Sequence, residues 1–288
     1  MQLAELHTVP LLENRIRLQE YAVGIFNSVP TKSAIKKAIK KKLIFVNGVN
    51  ATTGLYILGG EKIELFVNNT SSSFRRLDFP LEVLFEDDYL AIVFKPAGVL
   101  VSGNKFVTVA NALQQNLKKS TQTDAVKPQP IHRLDYPTSG VLLIGKTSKS
   151  ISKLSSLFET KEIKKTYHAV CIGKIDSKGQ IDLPIEHKIA RSEYSVINTV
   201  SSARFGNLNL VELSPSTGRK HQLRIHLSSI GNQILGDKTY GKQELMLKGK
   251  GLYLHATRIV FKHPFSCEIV SVTKRLPKKF LKIFPDCY

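Results

Sequence analysis

Apolar residues recur at helical spacing in residues 31–43, TKSAIKKAIKKKL, where Ile35, Ala38, Ile39 and Leu43 share one side and Lys36, Lys37, Lys40 and Lys41 take the others. Thr31 or Ser33, just after Pro30, can cap this helix. The period then shortens. Residues 43–46 form a brief β-type run that ends at the turn pair Asn47-Gly48, and Gly59-Gly60 precedes the alternating strand EKIELFV at residues 61–67. Past Pro80 the strands lengthen: YLAIVFK at 89–95, ending at Pro96-Ala97-Gly98, and SGVLLIGKT at 139–147. SKSISKLSSLF at 148–158 has the spacing of an amphipathic helix capped by Ser148, with Ile151, Leu154, Leu157 and Phe158 inward. Further strands are expected at 165–172, 194–200, 207–213, 252–262 and 267–273.

These patterns divide the chain. Residues 1–67 read as a small helix-plus-hairpin module with a lysine-covered face, and NNTSSSFRRLDF at 68–79 reads as a linker. Residues 80–288 read as a strand-rich domain with few helices. The fold class expected is α+β, with a mixed, largely antiparallel sheet behind a small α+β module. No internal repeat of solenoid period is present.

Composition narrows the function. Hydrophobic residues make up 42% and charged residues 23% of 288, the balance of a globular protein with a core, not of a disordered chain. No window has the roughly 18 uncharged apolar residues that span a bilayer, and the first fifteen residues lack the apolar stretch of a secretory signal. Cys171, Cys267 and Cys287 are widely spaced with no CxxC, which excludes a disulfide scaffold and a cysteine zinc site and favours the cytoplasm. Forty-two Lys and Arg against 23 Asp and Glu leave a net charge of +19. An excess of that size points to a polyanionic partner, most often nucleic acid.

Single motifs are less informative. Gly140 to Thr147 fits the pattern GxxxxGK plus Ser or Thr, but its variable positions are Val-Leu-Leu-Ile, which belong in a strand and not in a phosphate-cradling loop. His221 and His226 are five apart, about 140° on a helix and on opposite faces of a strand, so no metal is expected there. Neither HExxH nor GxSxG occurs. The stretch Ile131-His132-Arg133-Leu134-Asp135-Tyr136-Pro137-Thr138-Ser139-Gly140 places a carboxylate beside Arg and His just before an apolar strand; alone, an Asp at such a turn caps backbone amides. A second cluster at 214–227 holds Arg219, Lys220, His221, Arg224 and His226 in an apolar framework. Thr217 as N-cap and Gly231 as stop favour a helix there, with His221, Arg224 and Ser228 on one face and Leu223, Leu227 and Ile230 on another. Half-buried guanidinium groups need carboxylate or phosphate partners. Asp135 supplies the first; RNA or DNA would supply the second.

Taken together, HRLDYPTSG, KKTYHAV at 164–170, GRKHQLRIHLSSIGNQILGDKTYG at 218–241, LYLHATRIVFKHP at 252–264 and KPAGV at 95–99 resemble the RluA-type RNA pseudouridine synthases, in family order from about residue 83 to 277. RLQEYAVGIFNSVPTKSAIKKAIKKKLIFVNG is similar to the S-four-type RNA-binding domain that often precedes such enzymes. The resemblance implies isomerisation of uridine to pseudouridine within RNA. It aligns Asp135 with the catalytic aspartate, Tyr167 with the tyrosine that lies against the target base and is a proposed proton acceptor, and Arg224 with the basic residue that pairs with the aspartate. Arg133 is expected beside the flipped nucleotide, and Arg219, His221 and the module's Lys32, Lys36, Lys37, Lys40 and Lys41 are expected to hold RNA. Phe94 stands where the family commonly has Asn, and Arg17-Leu18-Gln19 replaces its more usual Arg-Leu-Asp. The reaction changes no oxidation state and activates no water, so neither cofactor, nucleotide nor metal is expected. The partner implied is ribosomal RNA, with transfer RNA the alternative, acted on by a monomer. Two other readings compete: a silent RNA-binding or RNA-folding factor, and a glycosidase, which would want a second acid near Asp135.

Overall fold

The computed structural model describes residues 1–67, 77–247 and 249–287. It divides into two compact units, Met1–Arg76 and Leu77–Tyr288. Of the expected linker at 68–79, residues 68–76 lie outside the described residues.

The first unit contains β1 (Gln2–Thr8), β2 (Ile16–Arg17), α1 (Leu18–Tyr21), α2 (Lys32–Lys40), β3 (Ile44–Val46), β4 (Val49–Asn50), β5 (Tyr56–Ile57) and β6 (Lys62–Val67). Its four-stranded sheet runs β1-β6-β3-β4, all antiparallel, and β2 pairs with β5. Helix α2 starts where Thr31 Oγ1 accepts the N–H of Ala34. It buries Ile35, Ala38 and Ile39 in a core with Leu18, Phe26, Ile44, Ile63 and Leu65. Lys36, Lys37, Lys40 and Lys41 are exposed, and Lys32 is ion-paired with Glu20 at 2.9 Å. Asn47 and Gly48 take φ of 50° and 77°, the left-handed pair that a two-residue hairpin between β3 and β4 requires.

The second unit contains β7 (Val83–Glu86), β8 (Leu90–Lys95), α3 (Val109–Asn116), β9 (Ala125–Pro130), β10 (Ser139–Thr147), α4 (Ser148–Glu159), β11 (Lys164–Ile172), β12 (Lys178–Ile181), β13 (Ser192–Ser202), β14 (Gly206–Pro215), α5 (Gln222–Ser229), β15 (Leu254–Lys262), β16 (Ile269–Thr273) and α6 (Lys278–Leu281). Eight strands form the path β12-β13-β14-β11-β15-β10-β8-β7, with β16 beside β15 and β9 beside β10. Among the described strands of this unit β10 and β15 pair in parallel and the other pairings are antiparallel, as the mixed-sheet α+β expectation requires. One apolar core lies around β8, β10, α3 and α4, a second around β11, β14, α5 and α6. Tyr167 packs against both. Among the described residues no helix is long and apolar enough to cross a membrane.

Helix α4 is capped by Thr147, not Ser148: the strand carries extended backbone through Thr147, whose Oγ1 accepts the N–H of Ser150 while Ser150 Oγ accepts that of Thr147. Helix α5 begins at Gln222, because His221 sits at a left-handed φ of 58° that no helix tolerates. Thr217 therefore caps nothing; its hydroxyl donates to Gln222 Oε1 at 2.7 Å. Ile230 lies past the helix end and is 40% exposed, whereas Leu223 and Leu227 are buried as expected. Strand β9, AVKPQP, carries two prolines and escaped the pattern; it pairs only with β10, an edge position where missing N–H donors are tolerated.

Candidate active site

Asp135 sits in the loop that enters β10, in a turn closed by the N–H of Thr138 on its carbonyl at 3.1 Å. Behind the turn lies Lys95, the last residue of β8 and fully buried. Its ammonium donates to three loop carbonyls, Thr138 O at 2.6 Å, Pro96 O at 3.0 Å and Tyr136 O at 3.3 Å. Burial pulls its pKa down to about 8, against the charge of Asp135, which holds it up. The folded value lies below the roughly 10.4 of an unfolded lysine. Between those two pH values the unfolded chain binds the extra proton, so this group makes stability rise with pH. Urea unfolding of wild type should therefore gain roughly 2 kcal/mol over Lys95→Met between about pH 8 and about pH 10. Parallel curves for the two proteins would show that Lys95 does not titrate there.

Tyr167 reaches the same place from another strand. Ala256 of β15 is paired with Gly140 of β10 on one side and with Tyr167 of β11 on the other. The register slips between Thr166 and Tyr167, so Thr257 is the extra residue of a bulge beside the site. Gly140 has no substitute here: it holds a φ of 133°, and a Cβ would lie 2.2 Å from the Ala256 carbonyl oxygen. Burial first, and the charge of Asp135 second, push the Tyr167 hydroxyl up, so at neutral pH it is a phenol.

The third element is α5 with the turn that follows it. Arg224, only 4% exposed, makes its closest pair with Asp237: Nε to Oδ2 at 2.7 Å and Nη2 to Oδ1 at 2.8 Å. Its Nη1 lies 3.7 Å from Asp135 Oδ2. Asp135 is thus the farther of two carboxylates that Arg224 serves. His221 Nε2 lies 3.8 Å from Asp135 Oδ1, and its Nδ1 meets the Tyr240 hydroxyl at 2.8 Å. Burial holds His221 below its ordinary value although Asp135 pulls the other way. Burial also pushes the Asp237 carboxyl up, but the Arg224 hydrogen bonds and the amides of Thr239 and Tyr240 outweigh it and keep it ionised.

These side chains open on one cleft of about 1250 Å³. Asp135, Tyr167, Arg224, Arg133, Arg219 and His221 all line it, so the structure gathers every site residue expected of the second unit. Lys32, Lys36, Lys37, Lys40 and Lys41 belong to the first unit. Among the described residues the cleft wall carries Lys127, Arg133, Lys161, Lys164, Lys165, Arg219, Lys220 and Arg224 against Asp135, Glu159 and Glu193, which makes it a concave cationic surface. His132 is structural: its Nε2 accepts the N–H of Leu143 at 3.1 Å, and burial lowers its pKa to about 3. Lys95, Asp237 and Tyr240 join the site without being expected from the sequence. All three lie inside the motif blocks quoted above; the burial of Lys95 and Asp237 and the hydrogen bond of Tyr240 to His221 show that they are engaged. The strand Gly140–Thr147 is buried throughout, and Lys146 is spent on Glu86 at 2.8 Å, so the phosphate-loop pattern there is only a pattern.

Known proteins are similar to this chain in sequence and in fold. The family model described as RNA pseudouridylate synthase matches residues 89–229. A ribosomal large subunit pseudouridine synthase D of Nitrosomonas europaea is 32% identical over 268 residues, which cover 86% of this chain and 77% of that protein. A ribosomal large subunit pseudouridine synthase C of Rickettsia felis is 31% identical over 306 residues, covering 94% and 96%. Among solved structures, human RNA pseudouridylate synthase domain containing 4 is similar in fold, with a TM-score of 0.57 and 24% identity over 69% of this chain and 90% of that one.

Proposed function

The chain belongs to the RNA pseudouridylate synthase family, and from that premise we propose that it isomerises uridine to pseudouridine in ribosomal RNA, with Asp135 as the catalytic group. The observation that carries the assignment of Asp135 is its place: a carboxylate on the wall of a cationic cleft, faced by Arg224 and His221 and backed by Lys95. The reaction breaks the glycosidic bond, turns the uracil and joins its carbon to the ribose. It needs an ionised carboxylate and a proton acceptor but no change of oxidation state. Two routes are open to Asp135, attack on the anomeric carbon and addition to the uracil ring, and both start from the same ionised group.

The surrounding residues serve that group. Arg224 sets a positive charge 3.7 Å from it. Tyr167 offers a ring against which the extruded uracil packs, offsetting part of the few kcal/mol that unstacking costs. Its raised pKa suits this packing role better than that of a resting base. Arg133, exposed at the cleft, and Arg219 are placed to meet phosphate or to fill the gap that the nucleotide leaves. The target class comes from the relatives, whose names specify the large ribosomal subunit. The first unit acts as an S-four-like RNA-binding domain, with the exposed Lys36, Lys37, Lys40 and Lys41 on RNA backbone, and the protein works as a cytoplasmic monomer.

Both parts are tested on transcripts of large-subunit ribosomal RNA and of transfer RNA. Pseudouridine should form in the ribosomal transcript, and binding should weaken steeply with salt. Changing the four lysines to Ala should flatten the slope of log K against log salt by roughly 2 to 4. An unchanged slope would remove this helix from the interface, and modification of transfer RNA alone would overturn the target.

A further inference from the structure

Asp237 has no task in the chemistry above, yet it is 3% exposed and its carboxylate is saturated. Besides the two Arg224 bonds, Oδ1 accepts the N–H of Thr239 at 2.9 Å and that of Tyr240 at 3.1 Å. The turn is fixed at both ends. A Cβ on Gly236 would lie 2.0 Å from Gly251 O, and one on Gly241 would lie 2.4 Å from Asp237 O. Tyr240 completes the frame: its ring lies 5.0 Å from the Arg224 guanidinium carbon, and its hydroxyl holds His221. One short turn thus grips both of the basic groups that face Asp135.

The distances say what this grip does. Arg224 Nη1 and His221 Nε2 stand 3.7 and 3.8 Å from the two oxygens of Asp135, beyond hydrogen-bond length. A guanidinium left free beside one carboxylate closes on it bidentately at about 2.8 Å, which ties up both oxygens. Here that bidentate pairing is spent on Asp237. Arg224 lends Asp135 its charge without occupying the lone pairs that a reacting carboxylate must offer.

We propose that the Asp237–Tyr240 turn is a positioning device that holds Arg224 and His221 close to Asp135 but out of bonding contact, so that the oxygens of Asp135 stay free to react. The proposal rests on the pseudouridine synthase reading for its consequence, though not for its geometry. Asp237 and Tyr240 are positioning residues, since they act through Arg224 and His221.

The test uses the full chain as wild type, Asp237→Asn and Tyr240→Phe, with single-turnover rates at saturating ribosomal RNA, RNA affinity, thermal midpoint and a crystal structure of each variant. Asp237→Asn should let Arg224 close on Asp135 to hydrogen-bond distance and slow the reaction about 100-fold, with RNA affinity within about threefold. Tyr240→Phe keeps the Arg224–Asp237 pair and the ring and removes only the hydroxyl. It should fold with a midpoint near that of wild type and react about 10-fold more slowly at saturating RNA. Wild-type rates in both variants would overturn the proposal. So would loss of folding in Asp237→Asn together with a wild-type rate in Tyr240→Phe. An unmoved Arg224 in a folded Asp237→Asn would overturn the anchor whatever the activity. No pseudouridine from wild type on any RNA, with Arg224 moved in the variant, would refute the reaction assignment and leave the anchor standing.

Discussion

Replacing Asp135 with asparagine is expected to slow pseudouridine formation by roughly 10⁴-fold or more at saturating RNA, with affinity unchanged or slightly tighter. The side chain keeps its shape and loses its charge, so the turn at 135–138, closed by backbone and by Lys95, stays in place. Chemistry is lost because an amide cannot attack as a carboxylate does. Affinity holds because the removed anion sits among eight lysines and arginines that the RNA phosphates also seek. Arg224 retains Asp237 as its closest partner, so no buried guanidinium is left without a counter-charge. Filter binding together with single-turnover kinetics checks both halves. A fall in affinity that matched the fall in rate would make Asp135 a binding residue.

The second large effect is on folding. Gly140→Ala is expected to remove at least about 4 kcal/mol of stability, enough to leave most of the protein insoluble. The new Cβ would lie 2.2 Å from the Ala256 carbonyl oxygen and 2.6 Å from the Ala256 Cβ, at a φ of 133° that side-chain-bearing residues rarely adopt. The clash falls where β10 meets β15, and the pairing of those strands brings Asp135 toward Tyr167. Relief by separating them would therefore disrupt the site along with the core. Soluble yield and urea unfolding measure it; a midpoint equal to that of wild type would mean the strands sit farther apart than described.

Much of this was legible in the sequence, and for physical reasons. Strand β10 was read to the residue because nine consecutive buried positions leave no solvent face to obscure the run. Helix α2 was read from its alternation of aliphatic and lysine positions, which burial mirrors at Ile35, Ala38 and Ile39. Strands such as β9, with two prolines, and β1, whose Leu3 and Leu6 are exposed, carry too little contrast for pattern to find them. At the site, residues on the cleft wall came from motif and resemblance. What escaped was the layer behind them. Nothing in the letters GDKTYG says that Asp237 is buried, or that it, more than Asp135, takes the short hydrogen bonds of Arg224. The start of α5 was misplaced for a related reason: the left-handed residue at its head is a histidine, which pattern alone does not mark as a helix boundary.

The central claim is that Asp135 drives isomerisation of uridine in RNA. Its most direct test is release of tritium from RNA labelled at the uracil carbon that becomes joined to ribose, with wild type and Asp135→Asn compared on ribosomal transcripts. Release by wild type and none by the variant, with both bound to RNA, is the predicted result. No release by wild type, or equal release by both, would contradict it.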